Sequence, residues 1–175
     1  MKKMLMILLM VLVTFLIQST LRVVIPSHYI IPNLLVILTC SMGLMRGKKS
    51  GMWTGFALGC LYDLFYGSIF GITALCLMYV GYANGFLYKI FFDRDVRIPM
   101  ATVGASVFFY NLVVFFTGFF QGRRSSFFSY LAGTILPEII ASVLCTIGLY
   151  YLYRFVNQRI VAYEVEAQQS PWLRR

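Results

Sequence analysis

The chain has 175 residues, of which 60% are hydrophobic and 12% charged, with a net charge of +9; its mean hydropathy is +0.80. A soluble domain carries roughly 25% charged residues and has no interior large enough for this much apolar surface, so lipid is the expected solvent. Fifteen Lys and Arg against six Asp and Glu would suit nucleic acid in a soluble protein, but here the basic residues fall between apolar runs, which is the pattern of membrane topology.

The apolar runs lie at about 4–25, 29–45, 51–68, 70–92, 98–120 and 130–156. A straight crossing takes about 20 residues, and backbone groups in lipid must bond internally. The expected fold is therefore an all-α integral membrane protein with about six transmembrane helices. The strict alternation of a membrane barrel is missing. The expected division is a six-helix membrane domain over residues 1–160 and a polar cytoplasmic tail over 161–175.

The first run follows Lys2 and Lys3, as a signal peptide would. It is too long, lacks a small-x-small cleavage site, and continues through "QSTLRVVIP" toward the next run. It reads as an uncleaved span. The second run is short, with Pro26 and Pro32 near its start, and reads as a re-entrant or half-buried helix. It ends in "RGKK", whose Arg46, Lys48 and Lys49 are expected to touch anionic headgroups.

The third run holds "GMWTGFALGCLYDLFYGSIFG", with a glycine or aspartate at every fourth position: Gly51, Gly55, Gly59, Asp63, Gly67 and Gly71. Four-residue steps drift about 40° each around a helix, so no single face holds all six. Gly51, Gly55, Gly59 and Asp63 fit one groove on the third span, while Gly67 and Gly71 fit the turn into the fourth. Such glycines let another backbone approach closely, either within this chain or from a partner's transmembrane helix; the first is favoured. Asp63 falls about 18 Å from Gly51, inside a core about 30 Å thick. A charge there is costly and should face protein or water. It can bond or cap a neighbouring helix, bind a polar ligand or relay protons, and the bond or cap is favoured.

On the fifth and last runs, Asn111 and Glu138 complete the polar inventory. Pro137 before Glu138 makes a good helix start, which places Glu138 at the outer interface and residues 126–136 in an approach segment. By depth, Gln18, Asn33, Asp63, Asn111 and Glu138 are candidates for a shared polar layer, against separate bonds to neighbouring helices.

With the N-terminus inside, twelve basic residues fall in inner segments, and Arg22, Arg123 and Arg124 in outer ones. The positive-inside rule then puts both termini in the cytoplasm. Cys40, Cys60, Cys76 and Cys145 all lie in apolar runs without a C-x-x-C and read as packing residues, not metal ligands or disulfides. His28 reads as a surface histidine. There is no hydrolase, zinc-protease or phosphate-loop motif, so no catalytic, cofactor-binding or metal residue is expected.

Two stretches resemble the MreD family of bacterial rod shape-determining membrane proteins. One is "IPNLLVILTCSMGLMRG" (31–47). The other is "GFALGCLYDLFYGSIFGITAL" (55–75), in which Gly55, Gly59, Asp63, Gly71, Ala74 and Leu75 are similar to the family's glycine–aspartate segment. Asn33 stands where that family has an acid as often as an amide. The resemblance implies a non-enzymatic scaffold in the bacterial cytoplasmic membrane. It implies binding to MreC beside a SEDS-type glycosyltransferase, a penicillin-binding transpeptidase and, less directly, MreB. It also implies a fold similar to the substrate-binding component of energy-coupling-factor transporters. The alternative from another class is a vitamin-binding transporter component, which would need a ligand-sized outer cavity with convergent polar groups.

Overall fold

A computed structural model describes residues 2–24, 31–67, 69–88, 97–122 and 127–169. Pro26, His28, Ser68, Lys89, Arg94, Arg123, Arg124 and residues 170–175 lie outside the described residues, as do the side chains of Lys2 and Lys3. The described residues are helical apart from short connections. The helices are α1 (Lys2–Val24), α2 (Leu34–Arg46), α3 (Lys48–Tyr66), α4 (Ile72–Leu87), α5 (Arg97–Phe120), α6 (Phe127–Tyr130) and α7 (Leu136–Gln169), with a π-helical stretch Leu131–Ile135 joining the last two. With α6, the π stretch and α7 counted as one rod, six rods make up the bundle.

α2 is the axis. It contacts α1, α3, α4, α5 and α7, and those five close a ring through their own contacts in the order α1, α3, α4, α5, α7. Every residue from Leu34 to Gly43 is buried. Its buried faces are mostly apolar, as an enclosed helix requires, and the hydroxyls of Thr39 and Ser41 are bonded back to the Leu35 and Ile37 carbonyls. Thirteen residues rise only about 20 Å, short of a core about 30 Å thick. The ring removes the need for more, because α2 is enclosed by its neighbours from Leu34 to Gly43.

The outer helices show one-sided burial. On α1 the stripe Val11, Thr14, Phe15 and Gln18 is buried, at helical spacing, while Leu8, Leu9, Leu12 and Leu16 are exposed. On α5 the buried stripe includes Val103, Val107, Tyr110 and Asn111. Among the described residues, three stretches are long and apolar enough to cross a membrane alone: Leu5–Val24, Arg97–Phe120 and Phe127–Arg159. The short α2 and α4 sit among them.

One sequence expectation changes. Residues 127–136 are not an approach segment but helix; Glu138 does lie in the first turn of α7, but α6 and the π stretch run into that turn. The physical reason is the π stretch. Proline has no N–H and its ring collides with the preceding turn of an α-helix. Widening the ladder here, with Leu136 N–H donating to the Leu131 carbonyl, lets the chain pass Pro137 without ending. At the other end, α7 continues to Gln169.

Candidate functional site

The end of the bundle away from the N-terminus, called here the distal end, gathers most of the polar chemistry. α1 and α3 both point to it: Arg22 donates to the Tyr62 hydroxyl and Ser19 pairs with the Tyr66 hydroxyl. The Arg22 guanidinium lies 5.0 Å from the centre of the Tyr62 ring.

Asp63 joins two helices there. Its backbone carbonyl accepts from Gly67 N–H at 3.1 Å, closing α3. Its side chain opens α4: Oδ2 accepts from Gly71 N–H at 2.9 Å and from Ala74 N–H at 3.1 Å. The first N–H groups of a helix have no partner within it, and its positive dipole end favours an anion. Gly71 sets the angle of the turn with φ +99°, a left-handed backbone that side chains resist. Asp63 is buried, and its Oδ1 has no hydrogen-bond partner among the described residues.

A second cap closes the embedded start of α2. Gln18 Oε1 accepts from Leu34 N–H at 2.8 Å, and Asn33 Oδ1 accepts from Val36 N–H at 3.3 Å. The Asn33 backbone N–H donates to Ser142 Oγ at 2.9 Å, and its amide donates to Glu138 Oε1 at 3.0 Å. The Asn111 side chain and the Arg22 charge also act on the Glu138 carboxyl. Tyr130 donates to Asn111 Oδ1 at 3.2 Å. Gln18, Asn33, Asn111 and Glu138 thus meet around one helix end, fastening α1, α2, α5 and α7 together. Asp63 stands apart, at the start of α4. Ser142 and Tyr130 carry no sequence signal for this role, since their partners are remote in the chain.

The glycines of α3 face α4. A Cβ at Gly51 would lie 2.4 Å from the Gly81 carbonyl oxygen, at Gly55 2.3 Å from that of Leu77, and at Gly59 2.3 Å from Ala74 Cα. The seam is two-sided: a Cβ at Gly81 would meet Gly51, and one at Gly85 would meet Lys48 Cα at 2.3 Å. Gly43 of α2 faces the Gly81 carbonyl, so three backbones meet at Gly43, Gly51 and Gly81. Small residues at such spacing permit close approach in lipid. α4 fills the α3 groove, which leaves no room there for a partner's helix. Gly81 and Gly85 carry no separate reading in the sequence, although their four-residue spacing repeats the α3 signal. Gly67 and Gly71 belong to the turn, not the seam.

Beside Asp63, a half-open cavity of about 180 Å³ is lined by residues that include Tyr62, Asp63, Tyr66, Thr73, Tyr110 and Gln121. At the opposite end, Arg46 Nε donates to Asn157 Oδ1 at 2.6 Å, so it is turned into the bundle. Lys48 is exposed and rests over Phe86, 3.3 Å from the ring centre. Lys49 is exposed. Among the described residues, no three His, Cys, Asp or Glu cluster as metal ligands.

The family model for rod shape-determining protein MreD matches residues 1–156. The chain belongs to the MreD family. Membership makes this a membrane protein with a role in rod shape determination, in a family of scaffold type and not a known enzyme family. No curated relative and no solved structure matches the chain. The MreD match covers α1 to α5 and α7 through the residues that build both helix caps and the glycine seam.

Proposed function

We propose that this chain is a non-enzymatic scaffold of the cell-elongation machinery. It binds MreC and supports lateral peptidoglycan synthesis by a SEDS glycosyltransferase and a penicillin-binding transpeptidase, with MreB engaged indirectly. The family match over residues 1–156 carries the proposal. The geometry agrees with it. Asp63, Asn33, Gln18 and Glu138 are engaged in helix caps and interhelical bonds, which stiffen the bundle, and a positioning role needs a stiff bundle. With the glycine seam filled by α4, partner helices dock on outer faces such as the leucine side of α1.

We place the chain in the bacterial cytoplasmic membrane with both termini in the cytoplasm. Arg46, Lys48, Lys49, Arg97, Arg154 and Arg159 lie toward the end that holds the N-terminus, and Arg22 at the distal end; that asymmetry supports the orientation. Six helical rods also agree with a likeness to the energy-coupling-factor component. The cavity near Asp63 falls below the roughly 300–1,000 Å³ of drug-sized ligand sites, which does not favour vitamin binding. Depletion in the protein's own host tests the function. Cells should lose rod shape, and wild-type protein should restore it where Gly55→Leu does not. Cells that stay rod-shaped on depletion would refute the proposal.

A further inference from the structure

Asp63 uses only one of its carboxylate oxygens to start α4. The other, Oδ1, is buried without a hydrogen-bond partner among the described residues, in a side chain only 4% exposed. A carboxylate oxygen so placed calls for a donor, because buried polar groups are nearly always paired. The same residue borders the cavity of about 180 Å³, whose wall also includes Tyr62, Tyr66 and Tyr110. Aromatic surface beside a carboxylate attracts cations.

We propose that this cavity seats the primary-ammonium end of a zwitterionic phospholipid headgroup, with Asp63 Oδ1 accepting one of its N–H bonds. Size limits the occupant to a headgroup. Chemistry requires an N–H, which a quaternary ammonium lacks. Position favours lipid: the cavity lies where α3 and α5 end and α4 begins, and exposed Ile69, Phe70 and Phe120 flank that end. Charge favours a zwitterion over a partner's lysine. Arg22, exposed and stacked on Tyr62, offers a cation to the phosphate and repels a lone cation.

The test uses full-length protein in detergent and in nanodiscs, with phosphatidylethanolamine, its mono- and dimethyl forms, and phosphatidylcholine. Bound lipid is read by native mass spectrometry and stability by thermal midpoint. Occupancy should hold while an N–H remains and fall about tenfold at phosphatidylcholine, the worth of one charge-assisted hydrogen bond. Asp63→Asn should fold with nearly the wild-type midpoint, since the amide oxygen keeps the Gly71 and Ala74 bonds while its NH₂ turns to the cavity. It should lose the preference for the primary amine. Val114→Trp, which fills the cavity without touching the cap, should lose lipid as well. Equal occupancy by both lipids in wild type, an unchanged preference in Asp63→Asn, or free ethanolamine competing as well as the lipid would each overturn the proposal.

Discussion

Adding a single methyl group at Gly55 is the most informative perturbation of the seam. An alanine Cβ there would lie 2.3 Å from the Leu77 carbonyl oxygen and 2.8 Å from Thr39 Cγ2, where ordinary contact begins near 3.4 Å. Relief therefore requires α4 to retreat by about 1 Å, because the nearest obstacle is backbone and has no rotamer to change. The retreat also opens Gly51 against Gly81 and Gly59 against Ala74, so the loss spreads along the seam. Overpacking of this kind costs about 1–3 kcal/mol. Alanine returns up to about 1 kcal/mol through better helix propensity. With the full propensity gain, the net expectation for Gly55→Ala is a loss of about 0–2 kcal/mol, and about 1–3 kcal/mol relative to an unobstructed Gly→Ala change. Gly148 on α7 is the internal control, since a Cβ there has no neighbour within 4 Å. Gly148→Ala should be neutral or stabilising. Reversible unfolding in mixed micelles, followed by circular dichroism, gives both values. If Gly55→Ala proves as stable as Gly148→Ala, the close approach of α3 and α4 is wrong.

Asp63→Ala should lower the thermal midpoint, with a loss of about 0.5–2 kcal/mol typical of a removed N-terminal cap; equal stability of Asp63→Ala and wild type would remove the cap from the account. Asn33→Ala strips Val36 N–H and Glu138 of partners at once and should cost about 1–3 kcal/mol. A double-mutant cycle with Glu138→Ala, which removes the acceptor, should show coupling above about 0.5 kcal/mol, and strict additivity would deny the interhelical bond. Lys49→Ala should leave stability within about 0.5 kcal/mol while weakening salt-sensitive association with anionic vesicles; unchanged association would take Lys49 out of the lipid contact.

Regular spacing and depth made part of this site legible from sequence. Gly51, Gly55, Gly59 and Asp63 stood out because four-residue spacing is visible without a fold. The division between groove and turn follows from helix drift, and α3 does end at Tyr66 just before Gly67. What filled the groove was not legible. Gly81 and Gly85 repeat the same spacing, but pairing them with α3 requires knowing which helices adjoin. The cap was harder still: Gly71 and Ala74 lie 8 and 11 residues beyond Asp63, outside the reach of local capping rules. Asn33 meets Ser142 and Glu138 across more than a hundred residues. Pro137 and Glu138 do mark the first turn of α7, but the helix and π stretch that run into that turn were not legible, because Pro137 reads locally as a start. The short second run read as re-entrant or half-buried because a lipid-facing span cannot be so brief, whereas an axis ringed by five helices can.

The most direct measurement of the scaffold claim is recovery of the intact protein from its own membrane, with quantification of every co-purifying protein and small molecule. The account predicts MreC in near-equal amount, accompanied by cell-wall synthases. A stoichiometric vitamin without any cell-wall protein would contradict it.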